Sequence, residues 1–350
     1  MGTIKIGVPV PMTGPLTAYG SDVLRGVKLA VRHINARGGV LGRMLEHRAY
    51  DDAGSAKQAV AAAYRLVQDG VKAAIGHPCS DCAHPAAAIY EDEGVLALLP
   101  AATSPDITGL GYGLVFRTVG TDVVQASVVC DWVAETTGPD AKIAIVHDKQ
   151  MYGEGIATAV KSGLKDKGFE AVLFEGINAG ERDFSSIIER LGTKDVDFVY
   201  YGGYYAELGR LLRQARAAGL KAKFIASDAA ATSEVQTAAR DAVEGLLVTS
   251  PRTFDELAQH KALTQEMADD DATGFTSPTC FTSYAAVEVF AQGIAAAGNC
   301  DDAEKIAQAI RAGTFDTTAG SLSFQPNGDL TCSEFVVEEC HFGKPRTRAG

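Results

Sequence analysis

The stretch GHPCSDCAHP, residues 76–85, places His77, Cys79, Cys82 and His84 within eight positions. Imidazole and thiolate are good zinc ligands, and C-x2-C forms half of many structural zinc sites. Such sites normally take their second pair from a dozen or more residues away. Here H-x-C-x2-C-x-H is too compact to wrap a tetrahedral ion while the chain passes from a strand into a helix. No metal and no cofactor is therefore expected. A redox pair at the start of a helix is a geometric alternative, as is reversible Cys79–Cys82 pairing, although a single CxxC is a weak signal. A third reading is an anion cradle, because a helix N-terminus offers unpaired N–H groups and the positive end of a dipole.

The elements around this loop decide which reading is favoured. TIKIGVPV reads as a strand. SDVLRGVKLAVRHINARGG follows with Val23, Val27, Ala30, Val31 and Ile34 at helical spacing, Ser21 as the expected N-cap and Gly38-Gly39 as the stop. LEHRAYDD, VKAAIG and VLALLP are strands, alternating with helices in SAKQAVAAAYRLVQDG and PAAAIYEDEG. A second series runs from TDVVQASVVCDWVAETTG through AKIAIVHDK, DFVYYGG and KFIAS to EGLLVTS. Short apolar strands between amphipathic helices imply parallel sheets covered on both faces, and two series imply two doubly wound lobes. After Pro251 the pattern turns helical. Then come SLSFQPNGDL and SEFVVEECHF, expected to pair around Pro326-Asn327-Gly328. No low-complexity linker separates the two series, so several segments are expected to cross between lobes, as in a hinge.

Composition narrows the partners. The chain has 350 residues, enough for about two domains. Its formal charge of −12 disfavours nucleic acid, whose phosphates need clustered Lys and Arg. No apolar run approaches the roughly 20 residues that span a membrane. MGTIKIGVPV has no signal-peptide core, so either the protein is cytoplasmic or a leader has been replaced by Met1-Gly2. Seven cysteines leave at least one free or paired between chains. Cys332 and Cys340 flank an expected strand that would hold them roughly 26 Å apart, against the ~4.4–6.8 Å between Cα atoms that a disulfide needs.

Ligands of open α/β sheets bind beyond the carboxyl ends of strands. Those ends here carry Ser80, Thr103, Asp122, YYGGYY (200–205) and Asp228. Each of Ser80, Thr103 and Asp122 could instead merely cap a helix, and Asp228 could cap one starting near Thr232. YYGGYY could be ordinary aromatic strand packing, although the double glycine at the strand end favours close approach of a ligand. Other signatures fail: GLGYGL lacks the third glycine of a dinucleotide fingerprint, and no GxxxxGK or GxSxG occurs. DDDATG, 269–274, resembles the start of a calcium loop but has Cys280 where the twelfth-position Glu belongs, and reads as a solvated loop.

Several stretches together resemble the Leu/Ile/Val-binding proteins, the periplasmic receptors of branched-chain amino-acid ABC transporters. They are GVKLAVRHINARGG, YDDA, KQAVAAAYRLVQDGVKAAIGH, IYEDEG, IAIVHDKQMYGEG, DFVYYGGYYAELGRLLRQARAAGLK and AVEGLLVT, and the likeness runs from Ile4 to about Phe342. The resemblance implies a periplasmic-binding-protein type I fold of two doubly wound α/β lobes with a three-segment hinge. Lobe 1 would hold 1–121 and 251–328, lobe 2 would hold 122–250 and 329–350. It also implies a non-enzymatic, periplasmic, monomeric protein that closes around an aliphatic L-amino acid in the cleft and presents it to a membrane permease.

By the same resemblance, the loop carrying Cys79 and Ser80 receives the ligand carboxylate. Thr103, beside Ala101 and Ala102, contacts carboxylate and ammonium, with the Ala101 carbonyl facing the ammonium. Tyr204 closes over the carboxylate, Asp122 and Tyr152 line the cleft, and Asp228 pairs with the ammonium where the family usually has Glu. Tyr19 shapes the side-chain pocket, and Thr279 stands where an aromatic residue commonly covers the ligand. Gly54 replaces a cysteine that the family often bridges to the position of Cys79. Thr279 and Pro78, which replace larger apolar residues, imply a roomier pocket. On this resemblance the sulfurs of the opening segment are incidental to a carboxylate cradle. A hydrolase with two acidic residues lacks a nucleophile–base pair, and the remaining alternatives are a ligand-sensing receptor on the same fold or binding of aromatic or other amino acids.

Overall fold

The computed structural model describes residues 2–253, 258–269, 277–341 and 344–348. The chain divides into two compact units, Met1–Gly120 with Thr253–Ser333, and Thr121–Arg252 with Glu334–Gly350. It passes from one unit to the other three times, at 120/121, 252/253 and 333/334.

The first unit begins with β1 (Ile4–Val10), α1 (Thr17–Ala36), β2 (Leu45–Asp51), α2 (Ala56–Gln68), β3 (Ala73–Ile75), α3 (Ser80–Asp92), β4 (Leu96–Leu99), α4 (Pro105–Gly109) and β5 (Val115–Arg117). The strands form one parallel sheet in the order β2-β1-β3-β4-β5. β3, β4 and β5 are buried along their whole length, which is why they read as continuous apolar runs rather than alternating ones. One core cluster packs strand residues against α1, and another packs them against α2 and α3.

Two local expectations shift here. α1 starts four residues earlier than Ser21, with Leu16 at the N-cap, so Ser21 lies inside the helix on its exposed side. α3 begins at Ser80 rather than at Pro85, and the proline sits inside it. The proline is accommodated because only one turn of helix precedes it, so little of the backbone ladder is lost.

The second unit begins with α5 (Asp122–Thr136), β6 (Ile143–His147), α6 (Met151–Asp166), β7 (Ala171–Gly176), α7 (Ser185–Lys194), β8 (Phe198–Gly202), α8 (Tyr205–Ala217), β9 (Lys223–Ala226), α9 (Ser233–Ala239) and β10 (Leu247–Pro251). Back in the first unit come α10 (Ala258–Asp269), α11 (Pro278–Ala297), α12 (Ala303–Ala312), β11 (Thr314–Thr317) and β12 (Gly320–Ser323). β13 (Phe335–His341) and β14 (Lys344–Arg348) end the described chain in the second unit.

The second sheet runs β14-β13-β10-β9-β8-β6-β7, parallel from β7 to β10, with β13 antiparallel to β10 and β14 antiparallel to β13. The expected pairing of SLSFQPNGDL with SEFVVEECHF is therefore wrong. Ser321–Ser323 pair with Thr314–Asp316, while Phe335–Glu339 pair with Leu247–Pro251 of the other unit's sheet. The Pro-Asn-Gly turn does reverse the chain, but only as far as a Phe324–Leu330 bridge.

α11 corrects the expectation that no apolar run approaches a membrane span. It is long and apolar enough to cross a membrane by length and composition, but most of it is buried in the first unit's core, packed against α1. A helix apolar on all sides fits a core position equally well. Residues 254–257 of the expected helix FDELAQHKALTQEM and residues 270–274 of DDDATG lie outside the described residues.

Candidate functional site

In the first unit the strand order places a switch between β1 and β3, the usual address for a ligand in an open α/β sheet. The loop leaving β3 is tightly held. A side chain on Gly76 would bring a Cβ within 2.3 Å of the Pro9 carbonyl, so only glycine fits. His77 follows with φ of 47°, unusual for a residue with a side chain, and its N–H donates to Pro9 O at 2.6 Å. Its ring is fully buried and engaged at both nitrogens, Nδ1 with Asp52 Oδ2 and Nε2 with the Tyr90 hydroxyl, each at 2.8 Å. Asp52 in turn accepts the Gly54 N–H at 2.9 Å. These partners answer the opening question for His77: it braces the loop. Among the described residues no group of three or more His, Cys, Asp or Glu is placed to hold a metal ion.

Cys79 is the N-cap of α3 and Ser80 its first residue. Cys79 and Cys82 are buried free thiols, and hydrogen bonding to Cys79, with burial, pushes the Cys82 pKa up. A thiol so held is a poor source of thiolate. Cys332, exposed, and Cys340, buried in β13, are not joined in a disulfide.

Ser80 is buried, and its Oγ accepts the Ser104 N–H at 3.3 Å. With a lone pair so used, the hydroxyl hydrogen is available to an anionic acceptor. Thr103 is equally buried, and its Oγ1 makes no hydrogen bond among the described residues. Ala101 and Ala102 are buried beside it. The N-caps of α3, α4 and α5 are Cys79, Ser104 and Thr121, none of which makes a side-chain capping bond. Ser80, Thr103 and Asp122 thus each lie one position away from the cap. Tyr19 is buried in the first turn of α1, and Thr279 is half-buried in the first turn of α11, its N–H bonded to Ser277 Oγ at 3.1 Å.

The second unit repeats the strand pattern, with its switch between β6 and β8. Tyr152, Tyr204, Asp122 and Asp228 are all buried. Tyr152 donates its hydroxyl to Asp228 Oδ1 at 2.6 Å, and its ring lies 5.2 Å from that of Tyr204. Gln125, from α5, accepts the Asp228 N–H at 3.3 Å and the Thr249 hydroxyl at 3.0 Å through the same Oε1. Burial raises the Asp228 carboxyl above its ordinary 3.8, opposed by the bonds from Tyr152 and Gln125. The Tyr200 phenol is pushed well up by burial and then by the charges of Asp122 and Asp228. Asp228 belongs to a short turn, Asp228–Ala230, and the following helix is capped by Thr232, so Asp228 is not its cap.

The double glycine of YYGGYY is required by the packing of the protein itself. A Cβ at Gly202 would lie 2.5 Å from the Gly153 carbonyl, and one at Gly203 would lie 2.6 Å from Asp148 Oδ2. This close approach is to α6 and the Asp148 carboxylate. Asp148 Oδ2 also accepts the Tyr204 N–H at 3.1 Å, which fixes where Tyr204 enters its helix. Asp148, Gln125 and the Asp52–His77–Tyr90 chain were missed from sequence. The only available signal was polar residues standing at the ends of otherwise apolar runs.

The chain can be set beside known proteins. A family model described as periplasmic binding protein matches residues 3–338. The chain is 47% identical, over 348 residues covering 99% of it and 92% of the relative, to the leucine-, isoleucine-, valine-, threonine-, and alanine-binding protein of Pseudomonas aeruginosa. It is 43% identical, over 99% of itself and 93% of the relative, to the Leu/Ile/Val-binding protein of Escherichia coli. Among solved structures it resembles the branched-chain amino acid transporter substrate binding protein of Streptococcus pneumoniae in complex with isoleucine, with TM-score 0.89, 25% identity and 99% of each chain covered. It also resembles a leucine binding protein of Thermotoga maritima, with TM-score 0.90, 26% identity, and 99% and 98% of the two chains covered.

Proposed function

We propose, from the premise that this chain belongs to the periplasmic binding protein family and has its type I fold, that it captures a branched-chain L-amino acid and delivers it to an ABC transporter permease. The carrying observation is the division of buried polar groups. The first unit offers the neutral hydroxyls of Ser80 and Thr103, and the second offers the carboxylates of Asp122 and Asp228. A zwitterion needs one of each kind. Its carboxylate would take the Ser80 and Thr103 hydroxyls with N–H groups of the α3 N-terminus, where the helix dipole favours an anion. Its ammonium would take Asp228, with the Ala101 carbonyl, and Tyr204 would cover the carboxylate. Tyr19 and the alanines supply apolar surface, and Thr279 leaves room beyond a leucine side chain.

The arrangement holds and orients, and among the described residues of the site none is positioned as a nucleophile beside a base, so we read the protein as a receptor rather than an enzyme. The names of its relatives support the ligand class, and the family supports an extracytoplasmic site of action and a permease partner. We read the receptor as a monomer.

A thermal-shift screen of the twenty amino acids tests this, because a ligand that binds only the folded state raises its melting temperature by mass action. Leucine, isoleucine and valine should give the largest shifts, with smaller ones for phenylalanine. Shifts from acidic or basic amino acids alone would overturn the reading.

A further inference from the structure

Arg117 ends β5 and has no solvent exposure. A guanidinium keeps its charge at any accessible pH, so a buried one must have its N–H groups answered. Nη1 donates to the Ala102 carbonyl at 2.8 Å, and Nη2 donates to the Ser104 carbonyl at 2.9 Å and to Thr108 Oγ1 at 2.7 Å. Nε lies 2.6 Å from Asp329 Oδ1. The Thr108 hydroxyl passes its own hydrogen to the same Asp329 oxygen at 2.9 Å. Asp329 is held in its turn by Asn327 Nδ2 at 2.9 Å, and that turn lies flat on β5, with the Arg117 N–H donating to the Gly328 carbonyl at 3.0 Å. Gly328 has φ of 88°, and a Cβ there would fall 2.0 Å from the Val115 carbonyl, so the turn can approach this closely only with glycine.

The two carbonyls that Arg117 grips belong to the residues on either side of Thr103. A guanidinium is a rigid planar fork, so it fixes the spacing of its two acceptors, and Thr103 between them is left one position. Ser104 carries the constraint further, because its N–H reaches Ser80 Oγ. One buried cation thereby sets the positions of both hydroxyls that the proposed function assigns to the ligand carboxylate.

We propose that Arg117, anchored by Asp329 and Thr108, is a positioning residue for ligand recognition, holding Thr103 and Ser80 at the separation a carboxylate requires without touching the ligand. This rests on the amino-acid reading above. The competing role is purely structural, in which Arg117 serves only as the partner that keeps Asp329 neutralised. Lysine separates the two. Its compact ammonium can still pair with Asp329 but cannot span both carbonyls.

The experiment is calorimetry with leucine and with leucine amide, which lacks the carboxylate, the amide being read by displacement. Wild-type protein is titrated first, and its failure to bind leucine would remove the amino-acid reading and this inference with it. Given wild-type binding, Arg117→Lys should weaken leucine about tenfold or more while changing the amide less than about threefold, as expected for misplaced hydrogen bonds to a charged group. Unchanged leucine affinity in Arg117→Lys, or an equal loss for leucine and amide, would overturn the proposal. Should the lysine variant not fold, Thr108→Val decides. It removes one anchor of the fork and should cost roughly threefold for leucine and nothing for the amide. No loss of leucine affinity in Thr108→Val would likewise overturn it.

Discussion

The two units share a strand order and differ in the charge of the groups at the ends of their strands. In each, the first strand of the parallel series lies between the second and the third: β2-β1-β3-β4-β5 in one, β7-β6-β8-β9-β10 in the other. The residues expected at the site fall at matching strand ends. Tyr19 and Tyr152 follow the first strands, Ser80 and Tyr204 the third, and Thr103 and Asp228 the fourth. Topology therefore supplies the addresses, and side chains supply the chemistry. In the first unit the fourth address holds a neutral hydroxyl, in the second a carboxylate. The energetic consequences differ as well. A buried hydroxyl awaiting a partner costs a modest amount, whereas a buried carboxylate is strongly disfavoured until a cation arrives. The carboxylates at the second unit's strand ends should therefore show the larger response to mutation.

The largest effect is expected at Asp228. Losing one partner of a buried ion pair costs about 3–5 kcal/mol, so Asp228→Ala should weaken leucine binding roughly 100- to 3000-fold by calorimetry. A loss below about fivefold would move the ammonium elsewhere, with Asp122 next in line.

pH sharpens the same contrast. Asp228 faces Tyr152, Gln125 and Tyr200, with Asp122 acting on the same Tyr200, and burial holds its pKa above 3.8. A carboxyl whose pKa is higher folded than unfolded favours folding when protonated. Its contribution is full below the unfolded value and is lost as pH rises through the raised folded one. Without ligand, Asp228→Asn should therefore melt higher than wild type at neutral pH. Leucine affinity of the wild type should weaken as pH falls below the raised pKa, because only the ionised form pairs with an ammonium. Melting curves and titrations of both proteins from pH 7 downward test the two signs.

Effects of removing a single neutral hydroxyl should be smaller. Ser80→Ala removes a donor to a charged group, expected to cost about 1.5–3 kcal/mol, or roughly 10- to 150-fold in leucine affinity. An unchanged affinity would place the carboxylate elsewhere. Tyr152→Phe deletes only the bond to Asp228 and should cost about three- to tenfold by the same titration. The smallest effect concerns metal. Because His77 is spent on Asp52 and Tyr90, elemental analysis should find no stoichiometric zinc, and chelation should leave leucine binding unchanged.

Much of this was legible from local pattern. The strand–helix alternation, the length of most elements and the strand-end residues all follow from periodicities that neighbours in sequence impose. Failures came where a remote partner decides. Gly202-Gly203 announces a close approach, but what approaches is Asp148 and Gly153, some fifty residues earlier in the chain. The sequence PNG announces a reversal and the fold contains one, yet the next strand leaves to pair Val337 with Thr249 of β10. FRTVG shows a single arginine in an apolar strand and nothing of the carbonyls at 102 and 104 or of Asp329.

By itself, then, the sequence determined the two-series α/β plan and the kinds of groups at each strand end, because both depend on residues a turn or a pleat apart. Only tertiary structure decided which glycine faces which carbonyl, that His77 spends its ring nitrogens on Asp52 and Tyr90, and that Arg117 grips the residues beside Thr103. Those outcomes depend on atoms brought together from distant parts of the chain, where close packing and the need to satisfy every buried polar group leave few partners possible.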